Sequence, residues 1–152
     1  MSFDQTLKTL GLKLPEVPKP VGSYVSVMES DGLVFLSGLL PRQGSEIIYR
    51  GKLGADLSLE KGCAAARLCA LNALSVIQSH FGTLDKVEKI LRLVGYIQSH
   101  PLFLDHPRVL NGASDLFKEV FGEKGLHARS AVGVASLPGN AACEIELTLK
   151  IR

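Results

Sequence analysis

The fold is decided first by the C-terminal stretch Ala142-Cys143-Glu144-Ile145-Glu146-Leu147-Thr148-Leu149-Lys150-Ile151-Arg152. Its apolar residues, from Cys143 to Ile151, alternate with polar and charged ones, and alternate side chains of a strand point to opposite faces of a sheet. The stretch therefore predicts a β-strand with one face on a core and one polar face. Glu144 and Glu146 fall on the polar face.

The preceding run, Arg129-Ser130-Ala131-Val132-Gly133-Val134-Ala135, alternates in the same way. Two valines share one face, whereas Arg129 shares the other with small residues only. Because Leu137-Pro138-Gly139-Asn140 carries turn residues, we predict an antiparallel hairpin that brings Arg129 into the neighbourhood of Glu144. Both charges are predicted to face away from the helix-covered core and to form a carboxylate-binding pocket, although an arginine on such a strand also fits an interface ion pair.

Turn and cap residues organise the rest of the chain. Asp31-Gly32 separates two apolar runs and predicts a hairpin. Helical spacing predicts one helix from the cap Ser58 to about Phe81, stopped by Gly82, and a second from about Pro107 to Phe121, with a strand over 87–97 between them. The order β-β-α-β-α-β-β predicts an α/β (α+β) fold, a mixed sheet with two main helices on one face.

Composition limits the classes of function. The 152 residues carry 46% hydrophobic and 21% charged side chains, which predicts one domain over 1–152, with residues 1–20 as an N-terminal extension packed on it. The net charge of +2 gives no general attraction to nucleic acid or membranes. We find no secretory leader and no run of about 18 apolar residues, so we expect a cytoplasmic protein without membrane association.

No cofactor or metal motif is recognisable. Cys63, Cys69 and Cys143 lack C-x-x-C spacing and are predicted to be small, buried core residues. The histidines lack H-x-x-x-H spacing, the glycines of 51–54 lack phosphate-loop spacing, and G-x-S-x-G is absent. We therefore expect neither a metal nor a cofactor.

The sheet face away from the helices is predicted to display Ala131, Gly133 and Ala135, which are too small and apolar for a wholly exposed surface. Another subunit would cover it, which predicts a homo-oligomer.

Several motifs carry a resemblance to a known family. The string His127-Ala128-Arg129-Ser130-Ala131-Val132-Gly133-Val134-Ala135-Ser136-Leu137-Pro138, followed by Glu144-Ile145-Glu146, resembles the A-R-S-x-V-x-V-A-x-L-P…E-I-E signature of the Rid family, also called YjgF. Pro20-Val21-Gly22-Ser23-Tyr24 resembles its P-x-G-x-Y entry, and Ser37-Gly38-Leu39-Leu40-Pro41 its S-G-x-x-P turn. The segment 100–114 departs from the usual pattern, as in a divergent branch.

The resemblance implies a chorismate-mutase-like fold and a homotrimer, whose inward sheet faces form a central barrel and whose sites lie in clefts between subunits. It implies hydrolysis of reactive 2-imino and enamino acids to 2-keto acids and ammonia, without cofactor.

Site residues follow from the same resemblance. Arg129 matches the arginine that clamps the substrate carboxylate, and Glu144 matches the glutamate that holds the attacking water. The backbone of Ala131, where many relatives have cysteine, would face the imine nitrogen. The pocket would be lined by Tyr24, Ser37 and Gly38.

Two other functions compete with deamination. The first is a non-catalytic trimeric module that binds a small carboxylate metabolite through Arg129. The second is an endoribonuclease, which we rank last because the chain lacks the basic surface and stacking aromatics that RNA binding ordinarily uses.

Overall fold

The computed structural model describes residues 1–152 and shows a mixed five-stranded sheet with two long helices on one face. In chain order the elements are α1 (Phe3–Thr9), β1 (Val27–Ser30), β2 (Leu33–Leu39), β3 (Arg42–Gln43), β4 (Glu46–Ile47), α2 (Leu59–Phe81), β5 (Val87–Gln98), α3 (His106–Phe121), β6 (Ala128–Val134) and β7 (Cys143–Ile151). The predicted α+β order is confirmed. No helix combines the length and apolar character needed to cross a membrane.

Local signals place the helix and hairpin ends where they were predicted. The side chain of Ser58 accepts a hydrogen bond from the backbone N–H of Lys61, and Gly82 ends α2 in the left-handed region at φ 77°. The β1–β2 turn is made by Asp31 and Gly32 at φ 50° and 78°, the pair of positive angles that a two-residue hairpin needs.

The core lies between the sheet and the two long helices. Along β7, Cys143, Ile145, Leu147 and Leu149 are buried, as the alternation predicts. The expectation for the cysteines holds for Cys69 and Cys143 but is wrong for Cys63, which is only half-buried. The Cys63 thiol donates instead to the carbonyl of Arg108 at the start of α3.

The predicted β6–β7 hairpin is wrong. The strand order is β1-β2-β7-β5-β6, so β5 lies between β6 and β7. β6 pairs parallel with β5, because α3 forms the crossover between them. The segment after β6 instead crosses the end of β5, where buried Gln98 accepts from the N–H of Leu137 at 2.8 Å and donates to the Asn140 side chain at 2.7 Å.

Gly112 explains how closely α2 and α3 pack. A Cβ built on Gly112 would lie 2.1 Å from the Cys63 carbonyl oxygen, which belongs to the backbone of α2 and cannot rotate away. We expect Gly112→Ala to lower the free energy of unfolding by about 2–3 kcal/mol, because the helices must separate despite the better helix propensity of alanine.

Thermal and denaturant unfolding of the two proteins would measure this change. The matched control is Asn111→Ala, an exposed position one residue earlier in α3, which should change stability by no more than about 0.5 kcal/mol. Equal stability of Gly112→Ala and the wild type would contradict the close helix contact.

Candidate functional site

Arg129 lies on the helix side of the edge strand β6, not on the face away from the helices. It pairs with Leu93 of β5, whose side chain is in the core, and paired residues of neighbouring strands point to the same face. Its guanidinium donates from Nη1 to the Ser114 hydroxyl at 3.1 Å and from Nη2 to the Pro107 carbonyl at 3.0 Å. The predicted orientation was therefore wrong, although the alternation itself was right.

The Arg129 guanidinium makes no ion pair. None of the salt bridges in the structure includes it, and both of its hydrogen-bond partners are neutral oxygens of α3. A guanidinium has five N–H donors, so three remain free. The cation is thus held in one place without being neutralised.

Small residues follow Arg129 along the same side of β6. Ala131 pairs with Gly95 and packs against the core, and Gly133 is exposed. A Cβ on Gly133 would lie 2.5 Å from Nε2 of His106 and 2.9 Å from Oγ of Ser99. The prediction that Ala131 and Gly133 face away from the helices was also wrong, because on this side Gly133 lies against His106 and Ser99 and Ala131 lies against the core.

His127 contacts the same Ser114 hydroxyl that accepts from Arg129. Its Nε2 lies 2.9 Å from the Ser114 hydroxyl and its Nδ1 lies 2.6 Å from the Gly125 carbonyl oxygen. Burial lowers the pKa of His127, and the charge of Arg129 lowers it further, against the opposing effect of the hydrogen bond to Gly125. A neutral imidazole therefore accompanies the Arg129 cation.

Glu144 lies on the opposite face of the sheet, as predicted. It is half-buried on β7 and pairs with Tyr96 of β5. Its carboxylate lies over Gly38, where a Cβ would approach Oε1 to 2.1 Å, so a larger residue at this position would displace the carboxylate. Burial raises the pKa of Glu144, and the nearby charge of Glu146 raises it further.

Of the predicted lining residues, Gly38 lies next to Glu144 near the end of β2, and Tyr24 and Ser37 line a cavity with Gly38. The pairing of β2 with β7 shifts register between Leu36 and Leu39, which places Ser37 and Gly38 in an irregular segment. The Ser37 hydroxyl donates to the Val25 carbonyl at 2.6 Å, and the exposed Tyr24 accepts from the Val21 N–H. A small cavity of about 30 Å³ touches Tyr24, Ser37 and Gly38.

One chain therefore holds two separate groups of site residues. We call them the Arg129 half-site (Arg129, Ala131, Ser114 and His127) and the Glu144 half-site (Tyr24, Ser37, Gly38 and Glu144). Arg129 pairs with Leu93 and Glu144 with Tyr96, on strands that flank β5. Two interstrand spacings and three residues of rise put their Cα atoms about 14 Å apart, with the side chains on opposite faces.

Ser114 and Pro107 were not predicted as site residues. Ser114 contributes its hydroxyl from α3, whereas Pro107 contributes its backbone carbonyl at the start of the same helix. A backbone carbonyl leaves no mark in the residue type, and the serine has meaning only once β6 is known to lie under α3.

Tyr96 is a third neighbour of the site that was not assigned a role. Its hydroxyl donates to Glu146 at 2.6 Å, on the same sheet face as Glu144. This hydrogen bond raises the pKa of Tyr96 and occupies the Glu146 carboxylate. Glu144 accepts no hydrogen bond from another side chain, so its oxygens are the ones available to a ligand or a water molecule.

No three His, Cys, Asp or Glu side chains come together in a geometry that could hold a metal ion. The polar groups of the half-sites are the Arg129 guanidinium, the Glu144 carboxylate, the His127 imidazole and the hydroxyls of Tyr24, Ser37 and Ser114.

The chain matches the model of the family described as "YjgF/chorismate mutase-like, putative endoribonuclease" over residues 4–151. It is 43% identical over 146 residues to Protein TCP17 of Trypanosoma cruzi, covering 95% of this chain and 91% of that one. It is 27% identical over 135 residues to a 2-iminobutanoate/2-iminopropanoate deaminase of Dermatophagoides farinae, covering 89% and 91%. A crystal structure of a putative endoribonuclease from Shewanella oneidensis superposes with a TM-score of 0.96 at 34% identity, covering 99% of this chain and 100% of that one.

The resemblance found in the sequence is thus confirmed by both sequence and structure. The chain belongs to the YjgF/chorismate mutase-like family.

Proposed function

We propose that this protein hydrolyses reactive 2-imino and enamino acids to 2-keto acids and ammonia, at sites formed where two copies of the chain meet. The observation that carries the proposal is the state of Arg129, a fixed, half-buried cation with free N–H donors and no ion-pair partner. The deaminase named among the relatives supports the same reaction class.

Assembly supplies the contact that one chain lacks. The sheet has two edges, β1 and β6, and the half-sites lie toward opposite edges. In the proposed ring of copies, the β6 edge of one chain would meet the β1–β2 edge of the next, and Arg129 of one copy would then lie toward Gly38 and Glu144 of its neighbour. We propose a homotrimer, as the family resemblance implies.

The sheet face away from the helices favours such an assembly, for a reason different from the one predicted. Its large apolar side chains Met28, Phe35 and Val132 are 59%, 44% and 42% exposed. Apolar side chains grouped on one open face indicate an interface.

We expect Phe35→Glu to separate the copies, because burying a carboxylate at the centre of that interface is unfavourable. Light scattering should give the mass of three chains for the wild type and of one for the variant, with circular dichroism unchanged. Lys118→Glu, an exposed position on α3, is the control and should stay trimeric. A single-chain mass for the wild type would contradict the proposed assembly.

Arg129 would bind the substrate carboxylate through two parallel N–H bonds, a geometry that a planar guanidinium provides. This fixes the C=N carbon over the backbone near Ala131. Most of the rate enhancement would come from this positioning and from the fixed charge.

Glu144 would hold the water that attacks. A carboxylate with a raised pKa accepts a proton more readily than an exposed one, so Glu144 can take a proton as the water oxygen adds to the C=N carbon. The nitrogen takes a proton from solvent in the same step, and Glu144 then passes the proton that it accepted to the nitrogen of the tetrahedral intermediate. Ammonia leaves as the C–N bond breaks, and the hydroxyl releases its proton to solvent as it becomes the carbonyl of the 2-keto acid.

The test is ammonia release from imino acids generated in situ by an amino-acid oxidase or a dehydratase. Added wild-type protein should accelerate release well above the rate in water, and Arg129→Ala should not. Equal rates with the two proteins would refute the proposal.

The alternative is a trimeric module that binds a small carboxylate metabolite without turnover. The placement of Glu144 on the other sheet face favours it, because clamp and carboxylate meet only if the interface brings them within reach of one water molecule. Tight binding of 2-oxobutanoate by a protein that does not accelerate ammonia release would support this alternative.

A further inference from the structure

We propose that Ser114 and His127 form a positioning pair that holds the Arg129 guanidinium ready for an anionic ligand. The inference rests on the proposed function, in which Arg129 binds the substrate carboxylate, and adds residues that the family motif does not contain. Ser114 lies in the segment 100–114, where the chain departs from the family pattern, and His127 precedes the A-R-S motif.

The hydrogen-bond partners determine which atom carries each proton. The Gly125 carbonyl can only accept, so Nδ1 of His127, 2.6 Å away, must be the protonated nitrogen. Nε2 of the neutral ring is then an acceptor, and it takes the hydrogen of the Ser114 hydroxyl at 2.9 Å. The lone pairs of the Ser114 oxygen therefore remain free for Nη1 of Arg129 at 3.1 Å.

The chain of bonds has one direction, from Arg129 through Ser114 and His127 to Gly125. If His127 were protonated, both ring nitrogens would be donors, the Ser114 hydrogen would lose its acceptor, and a second cation would face Arg129. Burial and the charge of Arg129 both hold the imidazole neutral by lowering its pKa.

Packing fixes the imidazole in place. The ring of His127 meets the ring of Phe117 edge to face, with centroids 6.1 Å apart. Gly125 lies against the end of α3 so closely that a Cβ would be 2.2 Å from the Phe117 carbonyl oxygen. The acceptor at the end of the chain of bonds is therefore held by the helix.

The role of the pair is to keep Arg129 in one conformation without neutralising it. A free arginine side chain loses rotamer entropy when it binds a ligand, and this loss weakens binding. A carboxylate partner would fix the side chain but would compete with the substrate. Ser114, His127 and the Pro107 carbonyl fix it with neutral atoms only.

Nitrogen-15 NMR of the histidine rings tests the protonation pattern. We expect His127 to be neutral and protonated on Nδ1 at pH 7, whereas free histidine prefers Nε2. A ring protonated on Nε2, or a cationic ring, would overturn the proposal.

Calorimetric binding of 2-oxobutanoate tests the function of the pair. We expect Ser114→Ala and His127→Phe each to weaken binding about tenfold, since each breaks the same chain of bonds. The double variant should bind no more than slightly weaker than either single one, because residues acting as a unit are not additive. Ser114→Thr keeps the hydroxyl and should restore most of the affinity.

Controls separate the possible failures. Glu119 lies elsewhere on α3 and forms an exposed ion pair with Arg67 of α2. The variant Glu119→Gln removes this ion pair and should bind 2-oxobutanoate like the wild type. If Arg129→Ala loses binding but the Ser114 and His127 variants bind like the wild type, the positioning pair is refuted and the proposed function stands. If Arg129→Ala itself binds like the wild type, the proposed function fails. Losses that simply add in the double variant would refute the pair.

Discussion

Replacing Arg129 by alanine is expected to abolish detectable 2-oxobutanoate binding and to lower kcat/KM for imine hydrolysis about a thousandfold. The reason is that Ser114 and Pro107 hold the Arg129 guanidinium in place, and no carboxylate of the chain pairs with it. A charge-assisted bidentate pair contributes several kcal/mol when its site is closed to water. Calorimetry and ammonia release in situ would measure the two effects.

Two further variants make this prediction specific. Arg129→Lys keeps the charge but not the planar fork, so we expect it to recover only a small part of the activity. Arg67→Ala removes another half-exposed arginine, which pairs with Glu119 on the outside of the helices, and should leave activity unchanged. Full activity in Arg129→Lys would show that a simple cation is enough, and full activity in Arg129→Ala would refute the clamp.

Glu144→Gln is expected to lower kcat by about a hundredfold to a thousandfold while KM changes little. Glutamine fills the same space over Gly38 but cannot accept a proton from water. In the wild type, kcat should fall as the pH drops through the raised pKa of Glu144, because the protonated carboxyl is no base. Glu146→Gln, on the same face, is the matched control and should alter kcat no more than severalfold, since Tyr96 already occupies that carboxylate.

Mixing the two inactive variants tests whether the sites lie between copies. If Arg129 of one chain acts with Glu144 of its neighbour, random assemblies of Arg129→Ala and Glu144→Gln chains regain intact sites at about one quarter of their interfaces. Activity should therefore return after the variants are unfolded and refolded together. No recovery, despite assemblies that contain both chains, would mean that both residues act from one chain.

The predictions that succeeded depend on contacts between residues close in sequence. The alternation along β7 gave its buried face correctly, the Ser58 cap and Gly82 gave the ends of α2, and Asp31-Gly32 gave the β1–β2 turn. The buried face of a strand, the ends of a helix and a tight turn are each determined within a few residues, by backbone geometry and by the period of the side chains.

Apart from the burial of Cys63, the predictions that failed concern strand order. The alternation predicts that Arg129 and Val132 point to opposite faces of the sheet. It does not indicate which of these faces the helices cover. The turn residues 137–140 looked like a hairpin, yet the segment spans β5 and is held by Gln98. A strand pairs with whichever neighbour completes its hydrogen bonds and buries its face, and that neighbour can be distant in the chain.

The sequence by itself determined the family, the main elements, the buried face of β7 and the arginine and glutamate to which we assign the proposed clamp and base roles. Only the tertiary structure decided that Arg129 lies under α3 beside Ser114 and His127, and that Glu144 lies across β5 on the other face. The physical reason is that side-chain period is a local property, whereas the position of a strand in a sheet depends on long-range pairing and on which face the helices bury.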